Sequence, residues 1–186
     1  MFGPEHPRAP HDQDLATQIR ETDPTLPGFG PFGTCGSHAF DPSSPAYRRI
    51  AALCAVRARH PVLRIGRQYQ RQLRVFGPDF RFPSSGELVA WSRILDTTEA
   101  LVVVNPNGDA ARGGEVIVSA ELWAPGDQFE IVANSAESAA PAVYTGPHPV
   151  GSRVDVRGRQ NILEPAFVSV DPIGPAEVIV LVAAGS

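Results

Sequence analysis

From Arg67 onward the chain is cut by turn signals into short apolar or alternating runs, and that rhythm confines it to a β-rich fold. "RQYQRQLRV" sets Tyr69, Leu73 and Val75 against Gln68, Gln70, Gln72 and Arg74, the period of two that a half-buried strand requires. "ELVAWSRIL" and "EALVVVN" read as an antiparallel pair joined across Asp96–Thr98. The turn cluster "NPNGDAARGG" precedes "EVIVSAEL", and "APGD" precedes "QFEIVAN". After a Pro- and Ala-rich loop from Ser135 to Pro149 come "SRVDVRG", "EPAFVSV" and "AEVIVLVAA", the last apolar nearly throughout and so expected at the centre of a sheet. Seven or eight short strands in this order predict an antiparallel β-sandwich.

The part before Arg67 has another character. Residues 1–44 are rich in Gly, Pro, His and Asp without a sustained period, and "LPGFGPFGTCG" breaks helix and strand alike. A helix over 45–60 follows: Ser44 is placed to cap it and Pro45 takes the first helical position, where a missing N–H costs nothing. Tyr47, Ile50, Ala51, Cys54 and Ala58 make an apolar stripe, Arg57, Arg59 and His60 gather at the C-terminal end, and Pro61 stops the helix. So short a helix is marginal alone, and the stripe is expected to dock on a partner surface. The reading divides the chain into 1–62, an irregular N-terminal arm plus helix, and 63–186, the β domain.

At 186 residues the chain is too short for a (β/α)₈ barrel, which takes about 250. Net charge is −4 with no block of like charges standing out, so no nucleic-acid partner is expected. Cys35 and Cys54 make neither a disulfide framework nor a zinc site and are read as buried free thiols. No signal peptide and no run of about 20 apolar residues is found, which leads to the expectation of a cytoplasmic protein without a membrane partner. A signal upstream of this sequence would lie outside that reading.

Three stretches resemble the α-amylase family of glycoside hydrolases. "MFGPEHP" resembles the Gly-x-Glu segment after the family's eighth barrel strand, and "FGTCGSHAFDPSSPAYRRIAAL" the run into its eighth barrel helix. "GRQYQRQL" and "ELVAWSRILDTTEALVVVNPNG" resemble the opening strands of the β-sandwich that follows the barrel. The resemblance covers residues 1–135 and implies that 1–62 is a remnant of the last barrel βα unit. It also implies that the family's nucleophilic Asp, acid/base Glu and stabilising Asp lie upstream of Met1, leaving this chain without catalytic residues and inactive alone.

The residues themselves offer no chemistry that contradicts this. Glycoside hydrolysis needs two carboxylates held at a fixed separation, and no Asp or Glu pair here sits in a motif that fixes one. His6, His11, Asp12 and Asp14 match no metal-ligand spacing, so neither metal nor cofactor is expected. The candidates for carbohydrate contact are Glu5 and His6, in the loop that would lie at a barrel mouth, and Trp123, which falls before a Pro-Gly turn. Trp91 is assigned to the core. The expected function is that of a non-catalytic C-terminal part of an α-amylase-like hydrolase, packing against the parent barrel or self-associating through arm and helix. Two alternatives are a free-standing α-glucan-binding β-sandwich module and a truncated gene product without an independent role.

Overall fold

The computed structural model describes residue 43 and residues 45–75, 78–158 and 164–184. The chain divides into two compact units, Met1–Tyr47 and Arg48–Ser186, and the account below concerns the second. It is mainly β: nine strands, β1 (Arg67–Gln70), β2 (Leu73–Arg74), β3 (Val89–Leu95), β4 (Thr98–Val104), β5 (Arg112–Ile117), β6 (Gln128–Asn134), β7 (Arg153–Arg157), β8 (Phe167–Ile173) and β9 (Val178–Ala183). Three helices accompany them among the described residues: α1 (Pro45–Arg59), α2 (Pro61–Ile65) and α3 (Ser135–Ala139).

Every pairing is antiparallel, in the order β1-β3-β4-β9-β6-β7-β8-β5-β2. The two ends of that order are neighbours in sequence, for only Arg71 and Gln72 separate β1 from β2. The run "RQYQRQLRV", expected as one strand, is therefore two. It pairs first with β3 (Tyr69 opposite Ser92) and then with β5 (Leu73 opposite Val116), and so curls the sheet on itself.

The curl encloses the main core. Phe129, Leu101, Ile131, Ile179, Leu181, Val116 and Val168 are each fully buried there, and each side chain of that size contributes about 1.5–3 kcal/mol. The alternate residues of the central strands point to the outer face, where Val102, Val180, Ala100 and Val182 meet Val56 of α1 and Val62 and Leu63 of α2. Strands β4 and β9 are thus covered on both faces, which is why "TEALVVV" and "VIVLVA" are apolar without alternation. The tight turn between β3 and β4 places Asp96 at φ 51°, a left-handed conformation that Asp tolerates better than most residues.

The helical segment departs from expectation in two ways. Pro61 does end α1, but it also opens α2, where its ring suits the first helical turn. And α1 seats itself by the wrong flank: Leu53 and Val56 reach the sheet, whereas Ile50, Ala51, Cys54 and Ala58, the stripe expected to dock, are exposed. Cys54, expected to be buried, is an exposed free thiol for the same reason. The loop read between Ser135 and Pro149 contains α3, whose N-terminus is capped by the Asn134 side chain accepting from the Ala136 and Glu137 N–H groups.

Candidate functional site

Two carboxylates are buried in the β domain, and the chemistry each can do follows from its partners. Glu99 of β4 is wholly buried and points towards the start of the β1–β2 crossing. One oxygen accepts from Arg71 Nη2 at 2.8 Å and from the Ser92 hydroxyl; the other accepts from Ser119 N–H at 3.0 Å and Trp123 Nε1–H at 2.8 Å. Arg71 Nε also donates to Ser92 Oγ at 2.7 Å. Four donors occupy the carboxylate, so no lone pair is left facing a cavity for proton transfer to a substrate.

Glu177, at the entry to β9, holds the other end of the sheet. Its Oε1 accepts from Asn134 Nδ2 at 2.7 Å and from the Tyr144 hydroxyl at 3.1 Å, and its Oε2 from Gly174 N–H at 2.5 Å. Asn134 Nδ2 also approaches the Tyr144 oxygen (2.8 Å) and the His148 carbonyl (3.0 Å). Burial first, and then the charge of Glu177, push the Tyr144 hydroxyl above its ordinary value of 10.0. Next to it Asn105, also buried, donates to the carbonyls of Ala110, Ile173 and Gly174. These groups tie the ends of β4, β6, β8 and β9 together.

The surface offers a candidate of a different kind. An open groove of ≈ 630 Å³ runs over β5 and β8, lined by Glu87, Arg112, Gly113, Gly114, Asp171 and Pro172 among others. Its floor follows from a register shift between Arg112 and Gly114 in the β5–β8 pairing. A Cβ on Gly113 would stand 2.8 Å from the Val170 carbonyl, so only glycine lets the two strands approach there. Arg112 is oriented by its Nε–H bond to the Gly86 carbonyl at 3.0 Å, and Glu87 by Arg81, with Nη2 at 2.5 Å. That pairing, with the Ser84 N–H, draws Glu87 below its usual 4.5. The wall therefore presents a fixed guanidinium, a fixed carboxylate and the exposed Asp171.

Of the residues selected from sequence, Glu5 and His6 lie outside the described residues, as do His11, Asp12 and Asp14. Trp123 is half-buried, its indole N–H bound to Glu99 and its ring tilted against Phe129 at 4.7 Å between centroids. It stands apart from the groove. Trp91 packs in the outer cluster beneath α1. Among the described residues, no group of three or more His, Cys, Asp or Glu is placed to hold a metal ion. No described helix is long and apolar enough to cross a membrane.

One signal went unread in the sequence. Between Pro45 and Pro78 stand eight of the chain's 16 basic residues and none of its 20 acidic ones. Spaced out by apolar residues, these arginines form no run, yet the fold gathers most of them onto α1, α2 and β1. Arg71 and Arg74 are paired, to Glu99 and Glu115. The other six, Arg48, Arg49, Arg57, Arg59, Arg64 and Arg67, are exposed. The comparisons with known proteins add no family to this description: no protein-family model matches the chain, and no curated protein matches it.

Proposed function

We propose that this chain is a free-standing, non-catalytic β-sandwich module that binds α-glucan. The observation that carries a binding role is the open groove over β5 and β8, furnished with Arg112, Glu87 and Asp171. Vicinal sugar hydroxyls donate to carboxylates and accept from guanidinium N–H groups, and an open groove suits a polymer that continues past the site. The internal use of Glu99 and Glu177 supports a role in binding rather than hydrolysis. The sandwich reading takes β1, β3, β4, β9 and β6 as one layer and β8, β5 and β2 as the other, with β7 and the β1–β2 crossing at the two corners. The choice of α-glucan rests on the α-amylase-family resemblance of residues 1–135.

Electrophoresis in native gels containing glycogen or soluble starch tests this reading. The chain should be retarded, and Asp171→Ala and Arg112→Ala should each recover most of the free mobility. Unretarded migration of the folded parent chain would remove glucan binding.

A second reading keeps the chain as the C-terminal part of an α-amylase-like glycoside hydrolase, packed against a barrel. The exposed flank of α1 favours it. In the source cells the native polypeptide would then have a mass of roughly 60–100 kDa, as a barrel of about 250 residues or more requires; a mass near the 19.9 kDa of this chain would leave the free-standing module.

A further inference from the structure

We propose that the pocket between α1 and the outer face of the sheet binds a small monocarboxylate with an apolar body, of the benzoate kind. The proposal goes beyond the glucan-binding role and does not depend on it: the pocket lies over β3, β4 and β9, the groove over β5 and β8.

An uncompensated charge marks the site. Arg93 of β3 is half-buried, yet its guanidinium meets only neutral oxygens: Nη1 donates to Gln68 Oε1 and Nη2 to the Arg64 carbonyl, both at a long 3.3 Å. Its Nε is buried with no acceptor, the one such side-chain atom among the described residues. Arg57 of α1 lines the same pocket, and neither arginine has a carboxylate partner among the described residues. A charge withdrawn from water without a counter-ion is costly, and a second like charge on the same pocket adds to that cost. An anion set between the two removes both penalties and gives the Nε–H its acceptor.

The rest of the lining selects the anion. Leu53 and Val56 of α1, Leu63 of α2, and Trp91, Val102 and Val180 of the sheet complete the pocket, with no acidic residue among them. These walls leave sugar hydroxyls and phosphate oxygens without partners, so the group attached to the carboxylate is apolar. Size limits it further. The pocket has a volume of ≈ 180 Å³, and an apolar cavity of about 150 Å³ accepts benzene. One ring or a short branched chain therefore fits against Trp91, with the carboxylate at the arginines, and a long acyl chain does not.

NMR titration of the full chain tests this with three probes: sodium benzoate, its neutral analogue benzamide, and acetate, which has the charge without the ring. Benzoate should shift the amides of Trp91, Arg93 and Val102 and the Trp91 indole in a saturable way. Benzamide and acetate should each bind at least tenfold more weakly. Arg93→Gln should weaken benzoate binding at least tenfold, and Arg57→Gln, at an exposed position, severalfold; amide signals away from the pocket show whether the variants fold. Should Arg93→Gln fail to fold, Arg57→Gln and the three probes decide. Asp171→Ala, which alters the groove, should leave benzoate affinity unchanged whatever its effect on glucan. Absence of saturable benzoate shifts, equal binding of benzamide or of acetate, or an affinity unchanged in the folded arginine variants would each overturn the proposal. Saturable shifts confined to amides outside the pocket would do the same.

Discussion

At the scale of the residue, the two buried carboxylates dominate what can be tested. Glu99 is held by an arginine, a hydroxyl, an indole and a backbone N–H, and its removal would take the shared acceptor from all four, leaving Arg71 only its bond to Ser92 Oγ. Breaking a buried pair by deleting one partner typically costs 3–5 kcal/mol. Glu99→Ala should therefore lower stability by about 3 kcal/mol in urea titration, and should shift the emission of Trp123. A loss below about 1 kcal/mol would mean that the cluster contributes little net stability. Tyr144 sets a limit on alkaline stability. Its folded value is raised, so the unfolded chain releases the proton first. Stability from this group is present below pH 10 and declines as pH rises through the folded value. Tyr144→Phe should flatten that decline above pH 10 in thermal melts; an unchanged slope would assign it to other groups.

At the scale of the element, what could be read from sequence was whatever depended on local pattern. "QFEIVAN" and "EVIVLVA" emerged as β6 and β9 with bounds close to those read, because alternation and β-branched density report burial directly. The split of "RQYQRQLRV" was not legible, because an alternating run looks the same whether it stays in one sheet edge or crosses to another. The flank by which α1 seats was misread for a related reason. Periodicity finds an apolar stripe, and Leu53 and Val56 form a shorter one about 60° apart beside the longer stripe. Which stripe docks is decided by the tertiary fold. Two measurements check the observed seating. Cys54 should react with a thiol reagent in the native state within minutes, whereas a buried thiol would wait for unfolding. Amides of α1 should exchange with solvent far faster than those of β4, as expected for a helix held by few apolar contacts. The groove was invisible to sequence reading altogether, since Glu87, Arg112 and Asp171 converge only through the β5–β8 pairing and the turn before β3.

At the scale of the whole molecule, the order of strands in space is not their order in time. Strand β9, the last of the described strands to be synthesised, lies between β4 and β6 and contributes Ile179 and Leu181 to the main core. Until Val178–Ala183 leaves the ribosome, β4 and β6 each hold an open, apolar edge, the kind of edge that recruits other chains. The nascent protein must therefore wait with its hydrophobic middle unzipped, and a chaperone that shields extended apolar segments would shorten that hazard. A chain stopped before Glu177 should remain unfolded and aggregate, while addition of a separate peptide spanning residues 175–186 should restore a soluble sheet by inserting between the two waiting strands.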